Sequence, residues 1–459
     1  MSKKIWILIS MLLIATMVLA ACGGGATEEP AATEPVAVEE PTAVPEEPTA
    51  APEEPTAAPE EPTAAPEEPV VEGVCASGQT YTITVWHQWD GKYLDAITAA
   101  FNDYMAANPC VTIDLSKPES VNDALSVAIP AGEGPDIIGW ANDQIGTQAL
   151  AGNIIDLTTL GIDVAYLEEN FEPAAVAGMQ YSGGIWGLPE SQEGIALVYN
   201  KALVTEEYLP TDPMDFAALL EKATAFKEAN GFPLICNQAF TGTGGGDAYH
   251  SAPAFFGFGV PSYVDEEGVA YLDTPEALAA GEWIASLSEV SDAESSYDIC
   301  TAGLNEGRYG MMWTGPWAIA GFEDAGLDYG ITQMGKPFVG IKTMMLSKNT
   351  VDRGNQDVSL DIIKYFTSGD VQTQIALVNK TIPASTAAIT NPEVAALYSV
   401  VEFGKALNLG IPMASSPYAS AQWGPVGQAV VAIWSGAQAP ADALAATQTA
   451  IEDAIAQMQ

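Results

Sequence analysis

Residues 81–115 have the sequence YTITVWHQWDGKYLDAITAAFNDYMAANPCVTIDL, and this stretch decides the fold class of the chain. Its beginning, TITVWHQW, alternates in polarity and is rich in β-branched and aromatic residues, as strands are. From Gly91 onward, apolar residues recur at helical spacing until Asn108-Pro109, and VTIDL follows as a second strand. A strand, a helix and a strand in this order predict a βαβ unit whose two strands run parallel.

The rest of the body repeats this alternation. Further strands are predicted at 136–140, 194–200, 232–237 and 309–315, and further helices at 120–129, 213–231, 274–290, 356–368, 370–378, 392–408, 422–435 and 440–457. This order predicts an α/β fold with a mostly parallel sheet that is covered on both faces. Because the body, residues 75–459, is too long for one ordinary core, we expect two domains.

The first 22 residues, MSKKIWILISMLLIATMVLAAC, are typical of a bacterial lipoprotein signal. Lys3 and Lys4 give a positive start, residues 5–18 are apolar, and small residues precede Cys22. We therefore predict cleavage before Cys22 and lipidation of its thiol, which would anchor the protein outside the cytoplasm, at the cell surface or in the periplasm. An uncleaved transmembrane anchor is the weaker alternative, because the apolar run is short for a membrane span.

Residues 23–74 are predicted to be a disordered acidic tether, rich in Pro, Glu, Thr and Ala. The unit PEEPTAA recurs from Pro45 to Pro66. Proline lacks a backbone donor and neighbouring glutamates repel one another, so this segment cannot bury a core.

Four cysteines follow Cys22, and an even number in an exported chain favours disulfides. Three pairings are possible. Because Cys75 precedes the first strand of the βαβ unit and Cys110 precedes the second, we predict the pairs Cys75–Cys110 and Cys236–Cys300. Four buried free thiols are the less favoured alternative. A zinc site is disfavoured because there is no CxxC spacing and the chain has only two histidines, so we predict no metal.

The charge of the chain restricts its partners. The net charge is −45, and Arg308 and Arg353 are the only arginines. Such an acidic chain is a poor partner for nucleic acid or an anionic membrane surface. Sites for phosphate or carboxylate ligands usually use guanidinium groups, so an uncharged ligand is the better prediction.

Six stretches resemble, in order, the solute-binding proteins of bacterial ABC importers, in the sugar-binding family that includes maltose-binding protein. They are ITVWHQWDGKYLDAITAAFNDY (83–104), AGEGPDIIGWANDQIGTQALAGNIIDLT (131–158), GGIWGLPESQEGIALVYNKALV (183–204), GRYGMMWTGPWAIAGFEDAGLDYGITQMG (307–335), GKPFVGIKTMMLSKN (335–349) and SAQWGPVGQAVVAIWSG (420–436). The resemblance implies a two-lobed periplasmic-binding-protein fold of the type II kind, with the ligand cleft between lobes joined by a hinge. On that pattern, lobe 1 comprises about 78–190 and 340–390, and lobe 2 comprises about 191–335 and 391–459. A ligand that contacts both lobes would drive closure, and the membrane subunits of the permease would receive it.

The resemblance also carries ligand-binding roles to particular positions. These predicted site residues are Trp89, Asp90, Trp140, Asp143, Glu193, Tyr249, Trp317 and Trp423. Asp90 could instead cap the helix that follows it, and Trp140 could be a core residue. Core packing is the preferred interpretation for Trp186 and Trp313, and solvation is the preferred one for His250. The chain departs from maltose-binding protein at Gln144, in place of a basic residue, at Gly424, in place of an aromatic one, and by the additional His87 and Trp89.

Aromatic rings suit the apolar faces of sugars, and carboxylates suit their hydroxyl groups. We therefore expect a monomeric protein that binds an uncharged oligosaccharide of the maltose or trehalose type, without a cofactor or catalytic residues. One alternative is a secreted glycosidase that uses Asp143 and Glu193 as its carboxylate pair. A glycan-binding adhesin or sensor at the cell surface is another.

Overall fold

The computed structural model describes residues 73–458, apart from residue 120 and residues 241–245. These residues belong to one compact unit, Glu68–Gln459. The predicted signal segment, with Cys22, and nearly all of the predicted tether lie outside the described residues. The last two residues of that tether, Gly73 and Val74, already belong to a 3₁₀ helix, Gly73–Ser77. Within the described part of the chain, no helix is long and apolar enough to cross a membrane.

The strands alternate with helices as predicted. The described strands are β1 (Tyr81–His87), β2 (Val111–Ser116), β3 (Ile137–Ala141), β4 (Gln180–Tyr181), β5 (Gly184–Ile185), β6 (Leu188–Glu193), β7 (Ala196–Asn200), β8 (Ile235–Cys236), β9 (Met311–Thr314), β10 (Tyr329–Thr332), β11 (Phe338–Leu346), β12 (Ile382–Pro383) and β13 (Ile411–Pro412). The longer helices are α1 (Gly91–Ala107), α2 (Val121–Ala131), α6 (Phe216–Asn230), α7 (Ala248–Gly257), α8 (Pro275–Glu289), α9 (Tyr297–Asn305), α12 (Gln356–Phe366), α13 (Gly369–Asn379), α16 (Tyr398–Leu407), α17 (Trp423–Trp434) and α18 (Pro440–Ala456). The shorter ones are α3 (Ile145–Leu150), α4 (Val164–Asn170), α5 (Pro173–Gly178), α10 (Ile319–Asp324), α11 (Asn349–Arg353), α14 (Thr386–Ile389) and α15 (Pro392–Ala395).

The larger sheet has the strand order β12-β6-β11-β3-β1-β2, with β13 paired to β11 beside that path. β1 runs parallel to β2, from the pair Tyr81 and Val111 to the pair Trp86 and Ser116, which confirms the predicted βαβ unit. β11, however, runs antiparallel to both β3 and β6. The prediction of a mostly parallel sheet is therefore wrong. The reason is topological: the chain enters β11 after leaving the smaller sheet, and so from the opposite direction.

The smaller sheet has the order β10-β7-β9-β8, and in it only the β8–β9 pair is parallel. β6 and β7 are separated by two residues, Gly194 and Ile195, yet they belong to different sheets. The chain returns from β10 to β11 through residues 333–337. The chain therefore crosses between the two sheets at the end of β6 and at the start of β11.

Helix signals in the sequence explain both ends of α6. Asp215 accepts the backbone N–H of Ala218 at the start of α6, and Gly231 ends that helix with φ = +79°, as its C-terminal glycine predicted. The predicted helix 392–408 is two helices, α15 and α16. The break between them lets Val394 and Val400, which would lie on different faces of one continuous helix, share a buried cluster with Ala376.

The hydrophobic core falls into two large clusters. The first core contains residues of β1, β2, β3 and α1 together with most of the buried apolar residues from Val339 to Ala384. The second core begins at Ile195, includes Phe338, and extends to Ile455. The boundary between the two cores thus falls between residues 188 and 195, again between 338 and 339, and a third time between 384 and 413.

Both predicted cysteine pairs are bonded. Cys75–Cys110 has a Cα–Cα distance of 5.7 Å, and Cys236–Cys300 has one of 5.5 Å. The first joins the start of the body to the residue before β2. The second lies in a third, smaller buried cluster beside the smaller sheet.

Candidate functional site

A cavity of about 790 Å³ lies between the two cores. Its walls come from the loop after β1, the segment after β3, the end of β6, the start of α7, and the loops before α10 and α17. All eight predicted site residues line it, namely Trp89, Asp90, Trp140, Asp143, Glu193, Tyr249, Trp317 and Trp423. Its size is within the range of sites that hold small organic ligands.

Asp143 and Trp423 meet across this cavity. Trp423, at the start of α17, donates its indole N–H to Asp143 Oδ2 at 2.9 Å. Gln144 donates a second hydrogen bond to the same oxygen at 2.7 Å. Burial raises the pKa of Asp143 to about 6, although these two donors and the charge of Lys342 oppose the rise. Because Asp143 follows a strand of the larger sheet and Trp423 packs against the second core, this bond links the two sides of the cavity.

A buried ion pair lies at the cavity floor. Glu193, at the end of β6, is 7% exposed, and its Oε2 lies 3.4 Å from Lys342 Nζ on β11. Burial raises the pKa of Glu193, while Lys342 acts in the opposite direction. The sequence interpretation did not include Lys342 in the site. The signal that could have identified it is a single lysine in the otherwise apolar strand FVGIKTMML.

Aromatic rings form the wall on the side of the second core. The ring of Tyr249 stacks on Phe338 at 6.0 Å between centroids and lies 6.4 Å from Trp317. The ring of Trp423 is 5.7 Å from the same phenylalanine. Trp140 lines the cavity from the other side and is also packed against the first core, so its predicted ligand-binding role stays a prediction.

Two of the predicted site residues are placed differently from the expectation. Trp89 is only 2% exposed, and its ring packs against His87, Phe101 and Phe366, so it is chiefly a core residue that touches the cavity. The sequence did not show this because Phe366, one of these aromatic partners, lies far away in the chain. Asp90 occupies the N-cap position of α1, but its carboxylate pairs with Lys117 rather than capping the helix. The helix-cap alternative is therefore wrong.

The tryptophans assigned to cores are found there. Trp313 is 1% exposed in the second core. Trp186 packs against the first core and donates its indole N–H to the carbonyl oxygen of Tyr181 at 2.8 Å.

His250 was expected to be solvated, and this is wrong. It lines the cavity, is 8% exposed, and its Nδ1 lies 2.6 Å from Asp247 Oδ2. The signal for this arrangement was an aspartate at a helix start with a histidine three residues later. Burial alone would raise the pKa of Asp247, but the charge and hydrogen bonds of His250 outweigh it and lower the pKa to about 2.

Five of the lining residues carry buried polar atoms that have no hydrogen-bond partner within the described residues. These atoms are Gln88 Nε2, Trp89 Nε1, Glu193 Oε1, Tyr249 Oη and His250 Nε2. A buried polar group without a partner is costly, so such atoms mark places where a polar ligand would bind. The described residues contain no group of His, Cys, Asp or Glu side chains arranged to hold a metal ion.

Two ion pairs join the sides of the cavity near its mouth. Asp324, at the end of α10, lies 2.5 Å from Lys92 on α1, and its neighbour Glu323 lies 3.7 Å from Lys380 after α13. α1 and α13 belong to the first core, whereas α10 packs with the smaller sheet. These ion pairs therefore connect the two sides of the cavity, although partly exposed pairs of this kind contribute little free energy.

The sequence model of the bacterial extracellular solute-binding protein family matches residues 97–399, and the chain belongs to this family. Among individual relatives, it is 29% identical over 372 residues to the maltotriose-binding protein of Pyrococcus abyssi (strain GE5 / Orsay), covering 78% of each chain. It is 24% identical over 332 residues to the galactooligosaccharide-binding protein of Bacillus subtilis (strain 168), covering 69% of this chain and 76% of that one.

Solved structures show the same two-lobed α/β fold. The GacH receptor of Streptomyces glaucescens GLA.O superimposes with a TM-score of 0.73 at 22% identity, over 82% of this chain and 98% of that one. The maltose/maltodextrin-binding domain of Bdellovibrio bacteriovorus superimposes with a TM-score of 0.72 at 21% identity, over 82% of this chain and 100% of that one. The predicted fold class and family are thereby confirmed.

Proposed function

We propose that this protein captures an uncharged oligosaccharide, of the maltose or trehalose type, in the cavity between its two cores. One observation carries the proposal: aromatic rings and buried polar atoms without described partners line the same cavity. Sugars have apolar C–H faces that pack on rings and hydroxyl groups that hydrogen-bond to carboxylates and amides. A strongly anionic ligand would favour an arginine in the cavity wall. Arg308 and Arg353 both lie within the described residues, and neither of them lines this cavity.

The named relatives support the same class of ligand. The Pyrococcus protein is a maltotriose-binding protein, and one Bacillus relative is a galactooligosaccharide-binding protein. Both ligands are uncharged oligosaccharides that differ in their sugar units. We favour the maltose-like ligand because the more similar of these two relatives binds maltotriose.

We further propose that binding is coupled to closure and delivery. The ligand would contact Asp143 and Glu193 from one side and Tyr249, Trp317 and Trp423 from the other, so it would stabilise the closed arrangement. A monomer anchored through lipidated Cys22 would then deliver the sugar to an ABC permease. The long acidic tether would let the body reach that partner.

A glycosidase is the competing function, with Asp143 and Glu193 as its two carboxylates. The contacts of these residues argue against it. Asp143 Oδ2 accepts two hydrogen bonds, from Gln144 and Trp423, and Glu193 is paired with Lys342. Held in this way, the carboxylates are suited to binding hydroxyl groups rather than to exchanging protons with a glycosidic bond.

A thermal-shift screen followed by product analysis tests the proposal. A ligand that binds only the folded protein raises the melting temperature by mass action. We expect maltotriose or a similar oligosaccharide to raise it, and sugar phosphates and amino acids to leave it unchanged. We also expect the sugar to be recovered intact after long incubation. Release of shorter sugars would establish an enzyme and overturn the proposal.

A further inference from the structure

His250 and Asp247 form a pair whose role goes beyond packing. Asp247 accepts the backbone N–H groups of Tyr249 and His250 with Oδ1, and its Oδ2 lies 2.6 Å from His250 Nδ1. The imidazole ring is edge-on to the Trp317 ring at 5.8 Å between centroids. The aspartate and the indole thus fix the orientation of the imidazole.

This pairing decides which ring nitrogen carries the proton. A carboxylate is an acceptor, so His250 Nδ1 must be its donor, and in the neutral ring Nε2 is then a bare acceptor. Nε2 is buried, and no partner for it occurs among the described residues. His87 has the opposite arrangement, because its Nδ1 accepts the backbone N–H of Trp89 at 3.2 Å, which leaves the proton of the neutral ring on Nε2.

The surroundings of His250 contain further acceptors. Glu193 Oε1, at the end of β6, is also buried and has no partner in the described part of the chain. Asp143 and Lys342 line the same cavity from the segment after β3 and from β11. Lys342 lies beside the other oxygen of Glu193. With the imidazole neutral, His250 Nε2 and Glu193 Oε1 are both acceptors and cannot bond to each other, so a ligand with hydroxyl donors would satisfy both.

We propose that His250 is a specificity-determining residue whose Nε2 accepts a hydrogen bond from a ligand hydroxyl, and that Asp247 is the residue that positions it. This inference rests on the proposed function and names the chemistry of one contact in it. Together, His250 Nε2 and Glu193 Oε1 would select a ligand that presents two free hydroxyl groups to the cavity. A sugar that lacks one of them would leave a buried acceptor unpaired, which a site of this kind rejects strongly.

The first test uses nitrogen-15 NMR to read the tautomers, and it does not depend on any ligand. The chain has only two histidines, so each can be assigned by replacing the other. In the neutral rings, reached by raising the pH until the nitrogen-15 shifts of both histidines no longer change, we expect His250 as the Nδ1–H tautomer and His87 as the Nε2–H tautomer. Finding the proton of His250 on Nε2 would overturn the inference.

The second test is calorimetry with maltotriose on Asp247→Asn, which can keep the backbone cap but places an amide N–H against Nδ1. The proton of His250 then moves to Nε2, which becomes a donor, and we expect binding to weaken about tenfold or more. Asp215→Asn, at the exposed cap of α6, is the matched control and should bind like the parent.

His250→Phe completes the set, because it keeps a flat ring and removes the acceptor. We expect a loss of similar size, with a melting temperature close to that of the parent. Among maltotrioses that each lack one hydroxyl group, we expect one to bind the parent poorly, because it cannot donate to His250 Nε2. To His250→Phe, which has lost this acceptor, the same sugar and maltotriose should bind with similar affinity. If both His250→Phe and Asp247→Asn bind maltotriose as tightly as the parent, His250 is not a specificity residue. If the parent itself binds no sugar, the proposed function fails, while the tautomer result still stands.

Discussion

Replacing Trp423 with phenylalanine isolates one bond that links the two sides of the cavity. The change removes the indole N–H that lies 2.9 Å from Asp143 Oδ2 and retains an aromatic face. Asp143 is 5% exposed, so its carboxylate is largely shielded from water. In Trp423→Phe, of the two described side-chain hydrogen bonds to this carboxylate, only the one from Gln144 remains. Trp423→Ala removes both the N–H and the ring, so the two variants separate the hydrogen bond from the stacking surface.

The magnitude follows from the charge on the acceptor. A hydrogen bond to a charged group contributes about 1.5–3 kcal/mol. Because this bond forms only when the two sides are close, its loss should weaken the closed state and reduce sugar affinity about ten- to a hundredfold. Trp423→Ala should lose more than Trp423→Phe, since aromatic contact contributes a further ~0.5–1.5 kcal/mol.

The pH dependence gives the prediction a second, independent readout. Asp143 has a pKa of about 6, so it is ionised at about pH 8 and mostly protonated at about pH 5. The bond is charge-assisted only when Asp143 is ionised. We therefore expect the deficit of Trp423→Phe, measured by calorimetry with maltotriose, to be large at the higher pH and smaller at the lower one. Equal affinity of Trp423→Phe and the parent at about pH 8, or the same deficit at both pH values, would refute this reasoning.

Three further predictions concern stability and the tether. Burial raises the pKa of Glu190 from 4.5 to about 7, so the folded protein binds a proton at this carboxyl more readily than the unfolded chain does. The free energy of unfolding should therefore fall as the pH rises from about 4.5 to about 7. Glu190→Gln should remove this slope in urea titrations, whereas the exposed Glu228→Gln should retain it. Without reductant, the four cysteines of the body should resist alkylation, and rapid alkylation of the native protein would contradict the pairing. Loss of either bridge, whose cysteines are separated by 35 or 64 positions in the sequence, should cost about 4 kcal/mol. Deleting residues 26–72 should leave affinity and melting temperature unchanged, and a drop of several degrees would mean that the tether docks on the body.

The sequence was most informative where local signals decide the structure. The βαβ unit, the caps of α6 and the pairing of Cys75 with Cys110 followed from alternation, capping residues and the order of two strands. The antiparallel entry of β11 could not be predicted in this way, because it depends on a crossing between sheets rather than on any local pattern.

The eight predicted site residues all line one cavity, and their ligand-binding roles stay predictions. Their contacts were less predictable, because the burial of Trp89 depends in part on Phe366, which is distant in sequence. Lys342 was missed because its partner, Glu193, lies in another strand that only the folded chain brings within reach. His250 was interpreted as a solvated loop residue, although Asp247, three residues before it, was a local signal for the pair.

A calorimetric titration of the parent protein with maltotriose tests the central claim most directly. We expect saturable binding of one sugar per chain, with a negative heat-capacity change from the apolar surface that is buried, and no binding of a sugar phosphate or an amino acid under the same conditions. Binding of the phosphate or the amino acid, with no heat from any oligosaccharide, would contradict the claim.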